Sequence, residues 1–361
     1  MADLDKRRVV VAMSGGVDSS VAALLLRDEG YEVIGLHMRP GVEHPEREGG
    51  RPTCCSAADA EDARRVAHAL GIPFYVLNFR EAFDSLIEYF CREYDRARTP
   101  NPCILCNRDL KFGRLLTYAD AVGAAWVATG HYARVEHSSQ RHHLLRGVDS
   151  EKDQSYALFA LTQEQLGRAL FPLGALRKAE VRKIARKSRL KVRDKPESQE
   201  ICFVPGGNYG EVLRKRIPER IAPGPVVDTE GRVVGTHPGV QLFTIGQRRG
   251  LRIALGQPHY VVELRRETNT VVLGPGEHLL RTELLVSDVN WVSISPPSMP
   301  MAAQVQIRYR HSAAPATVSP LPENQAHVRF ENPVRAITPG QAAVFYSGDV
   351  LLGGGWIERP L

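Results

Sequence analysis

The sequence predicts an α/β protein: a parallel-sheet domain with helices on both faces, then a small mixed or β domain, then a C-terminal β-barrel. Three observations lead to this prediction. Apolar strand patterns alternate with amphipathic helices up to about residue 205. Beyond that point the strands are short, with frequent Gly and Pro. From about Thr282, apolar and polar residues alternate along successive strands. We therefore predict domains at 1–205, 206–281 and 282–361.

The first part of the chain sets the order of the sheet elements. Residues 8–13 (RVVVAM) form a continuous apolar run, which is typical of a strand buried on both faces. A glycine turn follows, and a helix is predicted from about residue 19 to 29. The alternation continues with strands at 32–38, 72–79 and 125–135 and with helices at 58–70, 84–98 and 107–122.

Composition limits the class of protein. The 361 residues contain no apolar run near the roughly 20 residues of a membrane-spanning helix. The N-terminus lacks a signal-peptide pattern, so we expect a cytoplasmic protein. Thiols stay reduced in that compartment, so the six cysteines are not expected to form structural disulfides.

The net charge of +6 is distributed unevenly. Residues 177–195 contain ten Lys or Arg and two acids. Two interpretations stay open for this segment. It is a solvated helix face with Val181, Ile184 and Leu190 turned inward, or it is a surface for the phosphates of a nucleic acid backbone.

Residues 9–20 (VVVAMSGGVDSS) form the most informative segment. Gly15 and Gly16 let backbone N–H groups approach an anion, and the start of the following helix adds partial positive charge. The hydroxyls of Ser14, Ser19 and Ser20 supply further donors, and Asp18 orients the loop or helps to hold Mg²⁺. The segment has neither the Gly-Lys-Ser/Thr of a kinase-type loop nor a G-x-G-x-x-G motif.

The string SGGVDSS resembles the pyrophosphate-binding loop of the ATP pyrophosphatase superfamily. That resemblance implies cleavage of ATP between the α and β phosphates, with AMP left on the acceptor. Met38 ends the second strand, where it either meets the base of a nucleotide or packs in the core. Gly130 and His131 follow a later strand, where Gly130 permits close approach by a ligand. His131 either bonds to substrate or is a satisfied turn residue.

The cysteines fall into three groups. Cys91 shares a helix face with other apolar residues and is predicted to be core. For Cys54 and Cys55, beside a polar loop, both a metal role and a partly buried pair stay open. Cys103 and Cys106 form a C-x-x-C, and Cys106 precedes a predicted helix whose dipole favours the thiolate. Cys202 alone is typical of an inert buried residue, but with Cys106 it makes a two-thiol reaction centre.

Several longer motifs, in order along the whole chain, resemble the tRNA-specific 2-thiouridylase family: RTPNPCILCN, GHYARV, KDQSYAL, SQEICF, FTIGQRRGL and PGQAAVFY. The resemblance implies that ATP adenylates the carbon-2 oxygen of the wobble uridine of tRNA, and that sulfur from a persulfide replaces this oxygen. It also implies that Cys202 carries the persulfide and that Cys106 is the second thiol, which either releases hydrosulfide from Cys202 or resolves the intermediate. A Cys106–Cys202 disulfide then forms and must be reduced.

The resemblance also implies the binding residues and partners. The partners are tRNAs with Lys, Glu or Gln anticodons and a sulfur-carrier protein that donates a persulfide; the cofactor is ATP, with Mg²⁺. Asn101, Pro102 and Cys103 would meet the flipped-out target base. The residues expected at ATP are Ala12, Met13, Ser14, Gly15, Gly16, Val17, Asp18, Ser19, Met38 and Gly130. Those expected at tRNA are His131, Lys152, Asp153, Gln154, Arg308, Tyr309 and Gln341.

Alternatives remain. Some members of the family have Asp, a candidate acid/base, where this chain has Cys103, so we assign Cys103 only a contact with substrate. Thiolates of Cys103, Cys106 and Cys202 would also suit an iron–sulfur cluster with one open iron. A lysidine-type synthetase would use the loop but neither thiol. A tRNA-binding or sulfur-carrying protein without catalysis would explain the basic segment but not an intact loop.

Overall fold

The computed structural model describes residues 5–41, 57–197, 201–251, 253 and 256–361. The chain divides into two compact units, each built from separate stretches of sequence. In the described part, the first unit comprises residues up to Leu86, Cys103–Gly207 and Asp349–Leu352. The second unit comprises Ile87–Pro102, Asn208–Gly348 and Gly353–Leu361.

The elements of the first half follow the predicted alternation closely. In chain order they are β1 Asp5–Ala12, α1 Val17–Asp28, β2 Glu32–Arg39, α2 Ala57–Leu70, β3 Phe74–Asn78, α3 Arg80–Asp95, α4 Pro102–Leu105, a π-helix Cys106–Arg114, α5 Leu115–Ala121, β4 Ala124–Ala128, β5 Ala133–Glu136, β6 His143–Arg146, α6 Gln163–Gly167, β7 Ala169–Leu170 and α7 Lys178–Lys187.

The elements of the second half are mostly strands. They are α8 Tyr209–Arg216, β8 Gly224–Val227, β9 Val233–His237, β10 Tyr260–Arg265, β11 Thr270–Gly274, β12 Leu280–Asn290, β13 Met301–Gln306, β14 Ala314–Leu321, β15 Gln325–Arg335, β16 Ala342–Ser347 and β17 Val350–Pro360. Short 3-10 turns occur at Ser155–Leu158, Pro205–Gly207, Pro218–Arg220, Val240–Leu242 and Gly276–Leu279.

The first unit is built on a parallel sheet in the order β3-β2-β1-β4-β7. The apolar run of β1 explains its central place, because Val9, Val10 and Val11 are fully buried. Helices α1, α2 and α7 share one core with β1, and α5 packs against β4 and β1. The carboxyl end of β1 therefore opens directly into the loop that precedes α1.

Two predicted elements differ from the structure. The predicted strand at 125–135 is two strands: β4 stays in the parallel sheet, whereas β5 pairs with β6. Gly130 lies between them, where a Cβ would come within 2.7 Å of the Ser19 backbone nitrogen at the start of α1. The helix predicted at 107–122 begins earlier, at Pro102, and its middle is π-helical.

The second unit contains the two β modules. Strands β10, β11, β8 and β9 form a mixed sheet in which β11 and β8 are parallel. Strands β12-β15-β14-β13-β16-β17 form an antiparallel barrel that closes by pairing β12 with β17. The predicted fold class, a parallel-sheet domain followed by a mixed module and a β-barrel, is thus confirmed.

The last strand also contributes to the first unit. Val350 and Leu351 of β17 pair with Leu145 and Leu144 of β6. No helix in the described ranges is both long and apolar enough to cross a membrane.

Candidate functional site

The loop between β1 and α1 is tightly held at its glycines. Gly15 has φ +73°, and a Cβ on it would lie 2.2 Å from the carbonyl oxygen of Asp59. Only glycine fits there, because both the left-handed backbone and the close neighbour exclude a side chain. Gly16 is the N-cap of α1 and has extended backbone (φ −94°, ψ 170°). The loop therefore presents the N-terminus of a twelve-residue helix, a favourable site for an anion.

The serine hydroxyls of the loop differ in burial and in hydrogen bonding. Ser20 is fully buried and donates to the Gly16 carbonyl at 2.8 Å. The Ser14 backbone N–H donates to Ser19 Oγ at 3.1 Å, and the two hydroxyls lie 3.2 Å apart. Ser14 is half-buried, whereas Ser19 is 4% exposed. Ser14 is thus better placed than Ser20 to meet a ligand.

The other residues predicted at ATP alternate in exposure along the loop. Ala12, Gly16 and Asp18 are half-buried, and Met13 and Val17 are buried. On the neighbouring strand, Met38 is 8% exposed. Gly130 is half-buried, and its nearest neighbour is the first turn of α1. Close packing against α1 therefore requires glycine at position 130, whether or not a ligand approaches there.

Asp18, in the first turn of α1, is held by two side chains from distant parts of the chain. Lys178 Nζ lies 2.7 and 2.8 Å from its two carboxylate oxygens. Tyr132 Oη donates to one of them at 2.8 Å. Burial and the Asp18 charge raise the pKa of Tyr132, so it stays a donor. This arrangement fits a loop-orienting role for Asp18.

Glu197 extends this network toward Cys202. Its carboxylate lies 2.8 Å from Lys152 Nζ and 3.2 Å from Lys178 Nζ. Burial alone would raise the pKa of Glu197, but the hydrogen bonds and charges of Lys152 and Lys178 lower it below its ordinary value. Lys178 therefore lies between Asp18 of the loop and Glu197.

Lys195 makes a second link between the same segment and the loop. Its Nζ donates to Gly15 O at 3.1 Å, to Asp59 Oδ1 at 2.7 Å and to Asp62 Oδ2 at 2.6 Å. Burial would lower the pKa of Lys195, but the bonds to Asp59 and Asp62 raise it above its ordinary value. Residues 195 and 197 are thus both anchored at the phosphate loop. Cys202 follows Glu197 by five residues, a span of at most about 18 Å.

The cysteines occupy different environments. Cys91 is 3% exposed, and burial raises the pKa of its thiol to about 11, as a core residue requires. Cys103 is exposed, and Cys106 and Cys202 are half-buried. All three of these belong to the first unit. Cys54, Cys55 and residues 198–200 of the SQEICF motif lie outside the described residues.

The prediction that Cys106 lies just before a helix start, where the helix dipole would favour its thiolate, is wrong. The helix begins at Pro102, so Cys103 lies in its first turn and Cys106 is the first residue of the π-helix. The backbone is helical across this junction, since Leu105 has φ −66° and ψ −39°. A helix dipole acts mainly within the first turn. However, π-helical stretches often mark functional sites.

In the first unit, the side chains predicted to contact tRNA form hydrogen bonds and ion pairs within the protein. Asp153 accepts hydrogen bonds from the backbone of Gly147 and Ser155 and from the Ser155 hydroxyl, and pairs with Arg146 at 2.9 Å. Gln154 accepts from the Tyr132 N–H at 3.1 Å. The carboxylate of Asp153 and the side-chain amide of Gln154 therefore shape residues 147–155.

His131 is also buried, with 8% exposure, and its Nδ1 lies 2.7 Å from Thr129 Oγ1. Burial, with the nearby charge of Lys111, lowers the pKa of His131 well below its ordinary value. The ring is therefore neutral at physiological pH. Thr129 therefore engages Nδ1 of the ring, and a contact of His131 with substrate stays a prediction.

The remaining predicted residues belong to the second unit. Asn101 is half-buried and Pro102 is buried. Tyr309 is 39% exposed. Arg308 donates to the Arg335 carbonyl at 3.3 Å, and Gln341 donates to the Thr99 carbonyl at 2.8 Å.

Sequence reasoning missed Tyr132, Lys178, Lys195 and Glu197 as individual residues. Tyr132 lies within the GHYARV motif, and Glu197 immediately precedes SQEICF. In the sequence, Lys178 and Lys195 are two of the ten cations of the basic segment. Their low exposure sets them apart from the other cations there, and that signal appears only in three dimensions.

A parallel sheet whose first strand runs through a glycine and serine loop into a helix N-terminus defines the class: an ATP-binding domain of the pyrophosphate-loop type. Residues 7–206 match the family described as the tRNA methyl transferase HUP domain. Residues 210–275 match its PRC-barrel domain, and residues 281–357 match the aminomethyltransferase beta-barrel domain.

Curated relatives narrow this class. The chain is 53% identical over 361 residues to tRNA-specific 2-thiouridylase MnmA of Heliobacterium modesticaldum, covering 99% of this chain and 94% of that protein. Identity to the proteins of the same name is 51% for Carboxydothermus hydrogenoformans and 49% for Clostridium perfringens, covering 99% of this chain and 99% and 100% of theirs. The chain belongs to the tRNA-specific 2-thiouridylase family, as its motifs predicted.

Among solved structures, a 4-thiouridine synthetase–RNA complex with bound ATP is 17% identical, with a TM-score of 0.37, covering 59% of this chain and 51% of that chain. Within the described residues, no group of three or more His, Cys, Asp or Glu is arranged to hold a metal ion.

Proposed function

We propose that this chain is a tRNA 2-thiouridylase, which replaces the carbon-2 oxygen of the wobble uridine by sulfur at the expense of ATP. One observation carries the proposal: the phosphate loop and the thiols of Cys106 and Cys202 belong to the same unit. Lys195 anchors the segment before Cys202 directly at that loop, and Glu197 does so through Lys178. An adenylating loop and two thiols supply both halves of a thiolation.

The proposed reaction has three steps. The carbon-2 oxygen attacks the α-phosphorus of ATP, pyrophosphate leaves, and the oxygen becomes part of a good leaving group, AMP. The terminal sulfur of a persulfide on Cys202 then attacks carbon 2 and displaces AMP. Finally the Cys106 thiolate attacks the Cys202 sulfur, which leaves sulfur on the uridine and a Cys106–Cys202 disulfide. An external dithiol must reduce that disulfide before the next turnover.

We assign ATP to the loop residues 12–19, with Met38 and Gly130. The half-buried Ser14 and the helix N-terminus at Gly16 support this assignment. Both carboxylate oxygens of Asp18 are engaged by Lys178. Because these oxygens already bond a cation, Asp18 does not fit the role of a Mg²⁺ ligand, and we derive no step through Mg²⁺.

We assign tRNA to residues of both units. Asn101, Pro102 and Cys103 would meet the target base, and the exposed Cys103 is suited to this role. The further contacts proposed are His131, Lys152, Asp153, Gln154, Arg308, Tyr309 and Gln341. We also propose tRNAs with Lys, Glu or Gln anticodons, a persulfide-carrying protein as sulfur donor, domains at 1–205, 206–281 and 282–361, and action in the cytoplasm.

Thiolation explains more of the chain than methyl transfer, which the descriptions of two matched domains name. Methyl transfer from an activated donor needs neither a pyrophosphate loop nor a pair of thiols. A lysidine-type reaction would use the loop but leave Cys106 and Cys202 idle.

The test is a reconstituted reaction with unmodified tRNA, ATP, Mg²⁺ and a persulfide donor, followed by nucleoside analysis. We expect 2-thiouridine, with AMP and pyrophosphate as the other products. Cys106→Ser and Cys202→Ser should each abolish 2-thiouridine and leave tRNA binding near normal. Release of ADP, or full activity in either variant, would contradict the proposal.

Two controls complete the design. Cys91→Ala removes a buried thiol of the second unit and should leave thiolation intact. Cys103→Ala separates the persulfide route from the three-thiolate cluster. The persulfide route predicts that this variant keeps sulfur transfer with a higher KM for tRNA, whereas a cluster predicts loss of iron and of activity after anaerobic purification.

A further inference from the structure

The net positive charge of the chain is concentrated in one segment. Residues 177–195 carry ten cations and two acids, a net charge of +8, whereas the whole chain carries +6. The remaining 342 residues are therefore net negative by two charges. Charge in such a concentrated form acts on a polyanion as a local patch rather than as a general attraction.

The structure turns this charge outward. Helix α7 buries Val181 and Ala185, and Leu190 and Val192 after it are buried in the same core. The opposite side of this helix and of the following turn forms what we call the basic face: the exposed residues Lys183, Arg186, Lys187, Arg189, Lys191 and Arg193.

Within the part of the chain that the structure describes, few acidic side chains pair with the basic face. Asp194 lies 3.6 Å from Arg186 and 3.3 Å from Arg193, and all three side chains are exposed. Exposed pairs of this kind are weak. Among the described residues, no ion pair joins Lys183, Lys187 or Lys191 to an acid, so these three cations are available to a partner.

Helix α7, which carries part of the basic face, starts at the phosphate loop. Lys178, the first residue of α7, bonds to Asp18 of the phosphate loop. At 1.5 Å per residue, the helix carries the face about 14 Å away from that contact. A polynucleotide with one base at the site would have neighbouring backbone phosphates within this distance.

The chemistry of the face favours a nucleic acid over a protein. Its members are Lys and Arg, while Val181, Ala185, Leu190 and Val192 of the same segment are buried. Protein interfaces depend on aromatic and apolar anchors at their centre and are depleted in charge there. Backbone phosphates are instead bound by Lys and Arg, with other polar groups, without apolar anchors and without regard to sequence.

We propose that the basic face of α7 and its following turn binds the sugar–phosphate backbone of the tRNA. The inference rests on the proposed function and deepens it by adding an RNA-binding surface to the residues assigned above. The contact is independent of nucleotide sequence, so it contributes affinity and leaves the choice of tRNA to other residues.

The test is the salt dependence of tRNA affinity in the full-length triple variant Lys183→Gln, Arg186→Gln, Lys187→Gln. Each phosphate contact on RNA or DNA contributes about 0.7 to 0.9 to the slope of log K against log salt. We expect the slope to fall by about 2 and the affinity at about 50 mM KCl to fall at least tenfold.

The matched control removes exposed cations from α2 and α3 by Arg64→Gln, Arg65→Gln and Arg92→Gln. It has the same loss of net charge and should bind tRNA like the wild type. Equal affinity and slope in the triple variant and the wild type would overturn the inference. So would an equal loss in the control, which would show only a net-charge effect.

A third outcome identifies a protein partner. If the triple variant binds tRNA normally but is slow only when a protein donates the sulfur, and not with a small persulfide, the face serves the donor and the inference is wrong. These outcomes are separate from the proposed function, because wild-type formation of 2-thiouridine tests that function directly.

Discussion

Lys195→Met should destabilise the first unit by about 2 to 3 kcal/mol. Lys195 Nζ lies 2.7 Å from Asp59 and 2.6 Å from Asp62. The Asp59 side chain is only 4% exposed, so the substitution leaves a buried carboxylate without its cation. Removing one partner of a fully buried pair costs about 3 to 5 kcal/mol. We reduce this range because Lys195 is 18% exposed and Asp62 is 31% exposed.

Unfolding of the first unit can be followed by one fluorophore. The chain has three tryptophans, and Trp126 lies in β4 of that unit. In a background of Trp291→Phe and Trp356→Phe, Trp126 reports on the first unit alone. With a urea m-value of about 2 kcal/mol/M, the loss should lower the midpoint by about 1 to 1.5 M.

A double-mutant cycle checks the cause. Asp59→Asn removes the carboxylate that Lys195→Met leaves without its cation. The double variant should therefore recover more than half of the stability lost in Lys195→Met. Lys191→Met, which removes an exposed cation of the same segment, should change the midpoint little. A loss below about 0.5 kcal/mol in Lys195→Met, or strict additivity in the cycle, would refute the reasoning.

The same pair predicts a pH dependence. The pKa of Lys195 is raised above its ordinary value of 10.5 in the folded chain. The stabilisation is therefore fully present below pH 10.5 and is lost as the pH rises through the folded-state pKa. The difference in stability between wild type and Lys195→Met should shrink only in that alkaline range.

Three further predictions concern single residues. The first is measured by ATP binding, and the other two by the same fluorescence assay of unfolding. Gly15→Ala should lower ATP affinity more than tenfold because its Cβ meets Asp59 O at 2.2 Å, whereas Gly30→Ala, with φ +88° and no neighbour within 4 Å, should leave ATP affinity unchanged. The lowered pKa of His131 means that the unfolded chain binds a proton first, so wild-type stability should fall as the pH drops below 6.5, and His131→Asn should weaken that fall. Asp153→Asn should destabilise by about 2 to 4 kcal/mol because it weakens four partly buried interactions, whereas Glu151→Gln, on an exposed neighbour, should not.

The elements with strong local signals were predictable. The apolar run of β1, the glycine turn and the 3.6-residue pattern of α1 are local features, and the structure places β1 at Asp5–Ala12 and α1 at Val17–Asp28. The start of α4 had a local signal that was missed: Asn101-Pro102, a capping-type residue followed by proline at the first helical position. Recognising it would have moved the helix start ahead of Cys103.

Other features depend on contacts between distant residues. The break between β4 and β5 follows from the fit of Gly130 against α1, and a run of apolar residues does not reveal it. The pairs Lys178–Asp18 and Lys195–Asp59 join residues 160 and 136 positions apart. Charge patterning identifies the segment but does not select which of its ten cations turn inward, because that choice is made by packing.

The pairing of β6 with β17 has a consequence for synthesis of the protein. Leu144 and Leu145 are 0% and 6% exposed, and their strand partners, Leu351 and Val350, leave the ribosome some 200 residues later. Until then one edge of β6 is uncovered, and uncovered strand edges invite pairing with other chains. A nascent chain, or a gene truncated after residue 205, should therefore depend on chaperones to stay monomeric.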